Sequence, residues 1–163
     1  MKELIKFAFI AYCFGLCKNI RPTDNQILNF RHILFEWEQE PESQGYNIQI
    51  SNDSLFQDLI NDTTIGENLF IQKNNIEWNK KYFWRTRSFL AHDQFRDWNH
   101  FLSFSTGQPK LESNDDLSFQ NYDNNSQLVL ISSFTPNLHS IILDNQGNEI
   151  WNDDTMSLLV NNI

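Results

Sequence analysis

Large aromatic side chains are the feature that most constrains the fold of this chain. Its 163 residues include 14 Phe, 5 Trp and 4 Tyr, against only 5 Gly and 4 Pro. Each buried aromatic ring removes a large apolar area from water, so we expect a folded globule rather than a disordered chain. Because glycine and proline are sparse, most segments are expected to be regular structure. The length suits one domain, and we predict a single domain over residues 1–163.

The first apolar run, from Phe7 to Cys17, follows two lysines and predicts a buried first helix over residues 3–18. A secretory signal is the alternative, but the run lacks an A-x-A-like cleavage site. It is also shorter than the roughly 20 residues needed to span a bilayer. Cys13 and Cys17 have no partner residues at zinc-like spacing, so we predict free, buried thiols in a cytoplasmic protein.

Apolar residues at three- and four-residue intervals predict further helices. One begins after Pro22, with Thr23 or Asp24 as its N-cap, and ends before Pro41. Helical character returns from about Glu77 to Leu102. The apolar face of the first of these helices consists of Ile27, Phe30, Ile33, Leu34 and Trp37. A short helix between the two carries Leu55, Phe56, Leu59 and Ile60.

Strands are predicted at fewer places. Residues Tyr46–Ile50 alternate apolar and polar side chains. In the last third, QLVLISSF and HSIILDNQGNEIW read as strands, with a turn around Asn145, Gln146 and Gly147. The sequence therefore predicts an α+β fold. Its N-terminal two-thirds are helical, and its small antiparallel sheet comes mainly from the C-terminal third.

The stretch RTRSFLAHDQFRDWNH, residues 85–100, concentrates charge among aromatic side chains. On a helix, which advances about 100° per residue, its apolar and polar residues fall on opposite sides. We therefore predict a helix over residues 90–102 that buries Phe95 and Trp98. The same helix would expose Asp93, Arg96 and Asp97.

Arg87 and His92 stand at R-x4-H spacing, which resembles the ribonuclease motif of HEPN domains. In that family the arginine and histidine act on the scissile phosphate, so the resemblance implies a ribonuclease with these two residues as its catalytic pair. This chain departs from the family with Ser88 after the arginine and with strands near its C-terminus. On a straight helix the two side chains would also diverge by about 140°.

No other catalytic or cofactor motif is present. The chain lacks a glycine-rich phosphate loop, G-x-S-x-G, C-x-x-C and H-E-x-x-H. His92 and His100 would lie two helical turns apart, too far to share a metal ion. We therefore predict no metal site, no cofactor and no enzymatic activity.

The segment FEWEQEPE is the strongest charge signal. It predicts a docking patch for a basic partner, in which carboxylates steer association and an aromatic ring adds apolar contact. The net charge of −9, with a pI near 4.7, disfavours nucleic acid and anionic membranes as partners. The predicted partner-binding residues are Glu36, Trp37, Glu38, Glu40 and Glu42.

A small, acidic, aromatic-rich domain without a catalytic motif resembles the immunity proteins of bacterial toxin–immunity systems, including those of contact-dependent growth inhibition. The resemblance rests on overall character and carries over no individual residue. It implies a cytoplasmic inhibitor that binds a cognate toxin domain, often a basic nuclease, and blocks its active site. The alternatives are the R-x4-H ribonuclease and a structural subunit of a larger assembly.

Overall fold

The computed structural model describes residues 20–91, 94–111, 128–133 and 139–153, and within these ranges it contains strands and no α-helix. Burial alternates with a period of two most clearly along the second and sixth strands. In chain order the strands are β1 Gln26–Leu28, β2 Ile33–Glu36, β3 Gly45–Ser51, β4 Leu59–Ile65, β5 Leu69–Gln72, β6 Lys81–Leu90, β7 Gln94–Phe95, β8 Leu102–Thr106, β9 Val129–Ser133, β10 His139–Leu143 and β11 Glu149–Asn152.

Two of the three sheets pack face to face as a β-sandwich. The larger sheet has the order β1-β8-β6-β3-β4, with β7 also on β6, and the smaller consists of β2 and β5. Phe35 of β2 packs edge to face on Trp84 of β6 at 5.2 Å and on Phe104 of β8 at 5.7 Å between ring centroids. Strands β3, β6 and β8 of the larger sheet thus face β2 and β5 of the smaller sheet across the core.

The core lies between these two sheets. Along β6, Tyr82 and Trp84 face inward, and their neighbours Phe83 and Arg85 face outward. The inward side chains of β2, β3, β6 and β8 interlock as one apolar cluster. Its buried members are Leu28, Ile33, Phe35, Trp37, Tyr46, Ile48, Ile50, Ile76, Tyr82, Trp84 and Phe104.

The third sheet, β11-β10-β9, attaches to the sandwich through β11. The amide of Arg31 donates to the carbonyl of Ile150 at 2.8 Å, and the amide of Asn152 donates to the carbonyl of Asn29 at 3.0 Å. The buried carboxylate of Glu149 accepts hydrogen bonds from the amides that follow β8, at Lys110 and Leu111. These bonds fix the third sheet against the loops at one side of the sandwich.

The predicted α+β fold is wrong, because the described part of the chain is all β. The predicted helix after Pro22 is β1 and β2. Ile33, Phe35 and Trp37 alternate inward, whereas Ile27 is 68% exposed and does not belong to any apolar stripe. A period of two competed with a period of three to four in the same residues, and pairing with β5 and β8 decided for the strand.

The other two helices predicted in this region are also absent. Residues 55 and 56 lie in a turn before β4, and the stretch from Glu77 to Leu102 is mainly β6, β7 and an extended segment. The predicted helix over residues 90–102 is therefore wrong, and Phe95 is 44% exposed rather than buried. The predicted helix seemed to have an apolar face because Phe95 and Trp98 are aromatic. In the structure these two residues pack on the arginines of β6 rather than in the core.

The strand predictions are confirmed. Residues Tyr46–Ile50 lie within β3, and the two C-terminal segments form β9, β10 and β11 with the turn at residues 145–147. The first helix, Cys13 and Cys17 lie outside the described residues, and the single domain over residues 1–163 stays a prediction. The described part of the chain contains no helix with the length and apolar character that crossing a bilayer requires.

We expect Ile48→Ala, at a fully buried position of β3, to lower the free energy of unfolding by about 2–5 kcal/mol, because it leaves a cavity between the sheets. Ile27→Ala on β1 is the matched control at an exposed position and should change it by less than about 0.5 kcal/mol. Urea denaturation of both variants provides the measurement. Equal losses would contradict the assignment of the core.

Candidate functional site

The outer face of β6 carries arginine and phenylalanine side chains at alternate positions. Because Tyr82 and Trp84 point inward, Arg85 and Arg87 point outward on the same strand. In the antiparallel register Arg85 lies opposite Gln49 and Arg87 lies opposite Asn47, both on β3. The outer face is thus built from paired rows that run across neighbouring strands.

Hydrogen bonds tie these rows to β4. Arg85 donates through Nε and Nη2 to Oε1 of Gln49 at 3.0 and 2.7 Å, and Arg87 donates through Nε to Oδ1 of Asn47 at 3.2 Å. The two amide groups in turn donate to the two carboxylate oxygens of Asp62, each at 2.8 Å. Every amide therefore has a donor on one side and an acceptor on the other, which fixes the orientation of both arginines.

Aromatic rings sandwich the two guanidinium groups from the sides. The guanidinium carbon of Arg85 lies 3.9 Å from the ring centroid of Phe56 and 4.3 Å from that of Trp98. The guanidinium carbon of Arg87 lies 4.3 Å from Trp98 and 4.2 Å from Phe95. We call this alternating series of Phe56, Arg85, Trp98, Arg87 and Phe95 the arginine–aromatic ladder. Each such contact is worth about 0.5–1 kcal/mol when exposed and about 2 when desolvated.

The aromatic surface extends beyond the ladder through Phe101. Its ring packs edge to face on Phe56 at 6.1 Å and on Phe83 at 5.9 Å, and it stacks on His100 at 5.3 Å. Phe101 is 37% exposed and Phe95, at the far end of the ladder, is 44% exposed. Large apolar rings therefore meet solvent at both ends of a row of cations.

Arg85 and Arg87 place two positive charges on this face, beside the single carboxylate of Asp62, although the chain is acidic overall. Partial burial lowers the pKa of Arg85, the neighbouring Arg87 lowers it further, and Asp62 opposes both effects. Guanidinium groups stay protonated at physiological pH despite such shifts. Within the described ranges, neither arginine forms an ion pair with a carboxylate.

The segment between β7 and β8 brings Trp98 onto this face. Its backbone runs beside β6, where the amide of Arg96 donates to the carbonyl of Ser88 at 2.9 Å and the amide of Asn99 donates to the carbonyl of Thr86 at 2.8 Å. Trp98 lies between these two bonds. Its ring is therefore held over the arginines by backbone pairing on both sides.

The carboxylate of Glu40 fastens the same segment from the opposite side. It accepts hydrogen bonds from Oγ of Ser88 at 2.6 Å, Nη1 of Arg96 at 2.8 Å and Nδ2 of Asn99 at 3.2 Å. Partial burial acts to raise the pKa of Glu40, but the bonds from these three residues outweigh it, and the pKa lies below its ordinary value of 4.5. Glu40, predicted to bind a partner, is thus engaged within the chain.

The structure separates the other residues predicted to bind a partner. Trp37 is buried in the core, and Glu36 forms an ion pair with Arg21 at 3.7 Å. Glu38 and Glu42 are exposed. They are the exposed members of the predicted acidic patch, and their role in binding stays a prediction.

The alternative catalytic pair is not assembled on a helix. Arg87 lies on β6 and is stacked between Trp98 and Phe95, and His92 lies outside the described residues. Among the residues that the structure describes, no group of three or more His, Cys, Asp or Glu side chains could hold a metal ion.

One signal in the sequence pointed to the ladder. In the stretch KYFWRTRSFL, arginines and aromatics occupy alternate positions from Phe83 to Phe89, which on a strand places them on one face. Sorting the residues after Leu90 by a helical period hid this alternation. The contribution of Phe56, which comes from a distant turn, could not be found by spacing at all.

Comparison with known proteins yields no family model and no curated protein that matches the chain. Among solved structures, the chain is similar to an α-L-rhamnosidase of Streptomyces avermitilis complexed with L-rhamnose, with a TM-score of 0.44, 14% identity and coverage of 55% of this chain and 10% of that one. It is also similar to an α-L-rhamnosidase of Dictyoglumus thermophilum, with a TM-score of 0.44, 16% identity and coverage of 75% and 15%. The chain spans a small part of those enzymes, and likeness at this level assigns neither fold nor function.

We expect Glu40→Gln to lower the free energy of unfolding at pH 7 by about 1–3 kcal/mol, because an amide cannot accept all three hydrogen bonds. Glu42→Gln, on the same segment but exposed, is the matched control and should have almost no effect. Denaturant titration checks both. If the two substitutions cost the same, the fastening role of Glu40 is wrong.

The contribution of Glu40 should also depend on pH. Because its folded pKa lies below the ordinary value of 4.5, the ionised carboxylate stabilises the fold fully above that value. The stabilisation is lost as pH falls through the folded pKa. The stability difference between the natural chain and Glu40→Gln should therefore shrink between pH 5 and pH 2. A difference that stays constant over that range would contradict the assigned charge state.

Proposed function

We propose that this chain is a binding protein that docks a protein partner on the outer face of its larger sheet, over the arginine–aromatic ladder and Phe101. The observation that carries the proposal is the ladder itself. It presents two oriented cations between aromatic rings, with exposed Phe95 at one end and exposed Phe101 beyond buried Phe56 at the other. Tryptophan and arginine are the residues that most often dominate the binding energy of protein interfaces.

Preorganisation supports the same proposal. A flexible arginine loses rotamer freedom when it binds, and that loss opposes affinity. Here Arg85 and Arg87 are already held by Gln49, Asn47 and the stacked rings. A partner that covers this face therefore gains contact area and hydrogen bonds at a small additional entropic cost.

The partner can be isolated by co-purification with the tagged full chain from its native cell and then titrated by isothermal calorimetry. Phe95→Ala should weaken binding by about 1–3 kcal/mol, because it removes an exposed ring at the end of the ladder. Ile71→Ala is the matched control, since Ile71 is 49% exposed on β5 of the other sheet. Weakening by Ile71→Ala without weakening by Phe95→Ala would place the interface elsewhere.

We further propose that the partner is a toxin domain and that the chain acts as an immunity-type inhibitor. The observation that favours this identity is charge. The chain carries a net charge of −9, and the segment with exposed Glu38 and Glu42 borders the ladder face, where the carbonyl of Pro41 accepts a hydrogen bond from Arg96 at 3.1 Å. A toxin domain with a net positive charge would be steered by the overall field and would place its basic residues against these glutamates at the edge of the interface. Arg85 and Arg87 at the centre would contact aromatic rings, carbonyl groups or carboxylates of that domain rather than its cations.

The immunity proposal predicts a rate effect that simple docking does not. Changing Glu38 and Glu42 together to Gln should lower the association rate more than it raises the dissociation rate, because carboxylates at an interface edge act mainly through long-range attraction. Raising the salt concentration should slow association of the natural chain, since the Debye length falls from about 30 Å at 0.01 M to about 8 Å at 0.15 M. Surface plasmon resonance measures both rates. Association that is independent of salt, with a partner whose activity is not inhibited, would contradict the proposal.

A further inference from the structure

A polar cavity lies where the loops of the sandwich meet the third sheet. It has a volume of about 420 Å³, and no residue of the arginine–aromatic ladder lines it. Three short segments form its wall: the bend before β2, the chain directly after β5 and the turn between β10 and β11. The side chains with charges or N–H groups in this wall include Arg31, His32, Lys73, Asp144, Gln146 and Asn148.

Two cations reach the cavity from different segments. Arg31 and His32 lie in a bend, so that consecutive side chains line the same cavity instead of pointing to opposite faces of a strand. Lys73 comes from the chain after β5. Within the described ranges its ammonium group donates no hydrogen bond and forms no ion pair. Its charge is therefore available to a ligand.

The guanidinium group of Arg31 is held in place by backbone carbonyls. Its Nε donates to the carbonyl of Ile76, and its Nη1 donates to the carbonyl of Glu149 at 3.4 Å. In the part of the chain that the structure describes, Nη2 has no acceptor. Glu77, a carboxylate near Arg31 but outside the cavity, is paired with Lys80 at 2.7 Å. Arg31 thus offers an oriented N–H group with a positive charge.

Asp144 is the carboxylate in the cavity wall, and it is engaged by its own turn. It accepts hydrogen bonds from the backbone amides of Gln146 and Asn148 at 2.9 Å each, and from Nδ2 of Asn148 at 3.0 Å. Partial burial acts to raise the pKa of Asp144, but these bonds outweigh it, and the pKa lies below its ordinary value of 3.8. The cavity therefore carries the charges of Arg31 and Lys73 against one ionised carboxylate.

His32 responds to this excess of positive charge. Partial burial lowers the pKa of His32, Lys73 and Arg31 lower it further, and Asp144 opposes them. The ring is therefore mainly neutral at pH 7 and carries one N–H donor. An anion in the cavity would favour the protonated ring, in which both nitrogens donate.

The lining determines the class of ligand. Among the described residues that line the cavity, only Ile150 is apolar, so an apolar ligand would gain little contact. Donors on three residues, two of them permanently charged, suit an oxyanion. A phosphate or sulfate group has an oxygen for each of the three donors, whereas a carboxylate has two.

We propose that this cavity binds a small tetrahedral oxyanion, namely a phosphate or sulfate group, between Arg31, Lys73 and His32. The site is separate from the surface proposed to dock a protein partner, and either proposal can fail without the other. It gives an acidic chain a local site for anions, although its sequence contains no phosphate-binding motif.

The direct test is a titration of the ¹⁵N-labelled full chain with sodium sulfate, with sodium chloride holding the ionic strength constant. Backbone amides of residues 31–32, 73–75 and 146–148 should shift saturably, and those of residues 85–87 on the ladder should not. Acetate is the control anion and should bind about tenfold more weakly, because it has one charge and two oxygens. The proposal is overturned if sulfate causes no saturable shift at these residues, or if acetate binds as tightly as sulfate.

Two phosphate probes distinguish the source of the bound group. Inorganic phosphate and methyl phosphate are titrated in the same way. Tighter binding of methyl phosphate assigns the site to a phosphomonoester, and tighter binding of inorganic phosphate assigns it to the free ion. Failure of both phosphates and of sulfate to bind overturns the site.

A lysine substitution tests whether the effect is local. Lys73→Gln removes one charge at an exposed position and should weaken sulfate binding about three- to tenfold. Lys81→Gln is the matched control, since Lys81 is exposed on β6 and does not line the cavity. It makes the same change in net charge and should leave the affinity unchanged. Equal weakening by both substitutions would show that sulfate responds to net charge alone and would refute the site.

The pH dependence of sulfate binding tests the role of His32. Sulfate does not change its charge between about pH 5 and pH 8, the range in which histidine titrates. Because the pKa of His32 lies below its ordinary value of 6.5 and a bound anion raises it, sulfate should bind more tightly as the pH falls through this range. His32→Gln should abolish this dependence. A dependence that is the same in His32→Gln and in the natural chain would exclude His32 from the site.

Discussion

Strand β6 packs side chains on both of its faces, and the rest of the sandwich depends on this requirement. On the inner face Trp84 meets Phe35 across the core at 5.2 Å, and on the outer face Arg85 and Arg87 stack between aromatic rings. The backbone of such a strand pairs with a neighbouring strand on each edge, and each of its faces is covered by other side chains. Strands β3 and β8 supply the edges, β2 supplies one layer, and Trp98 supplies the other.

The same requirement explains why an acidic residue lies beside a cationic face. Beyond Trp84, where the pairing with β8 ends, β7 and the segment that carries Trp98 run beside β6 instead. Glu40 joins this segment to β6 by accepting hydrogen bonds from Ser88, Arg96 and Asn99. The carboxylate of Glu40 thus holds the aromatic layer in place, and Glu38 and Glu42 on the same segment are exposed.

The sequence predicts only part of this arrangement. Strand β3 could be recognised from the sequence because apolar and polar residues alternate along it. Strands β10 and β11 could be recognised because a turn at residues 145–147 joins them. The strand β2 could not be distinguished from a helix, because Ile33 and Trp37 fit both periods, Leu34 fits only the helical one, and pairing with β5 selects the strand. The ladder was hidden for a different reason. Its members come from β6, from the turn at Phe56 and from the segment after β7, and long-range packing brings them together.

Hydrogen exchange of the complex with the isolated partner tests the central claim most directly, because it reports on the surface without altering any residue. The account predicts that the partner slows exchange of backbone amides in residues 94–101, whose segment supplies the exposed part of the ladder face. The amides of β5, on the opposite sheet, should exchange as in the free chain. Protection that is confined to β5, with residues 94–101 unchanged, would contradict a docking surface on the arginine–aromatic ladder.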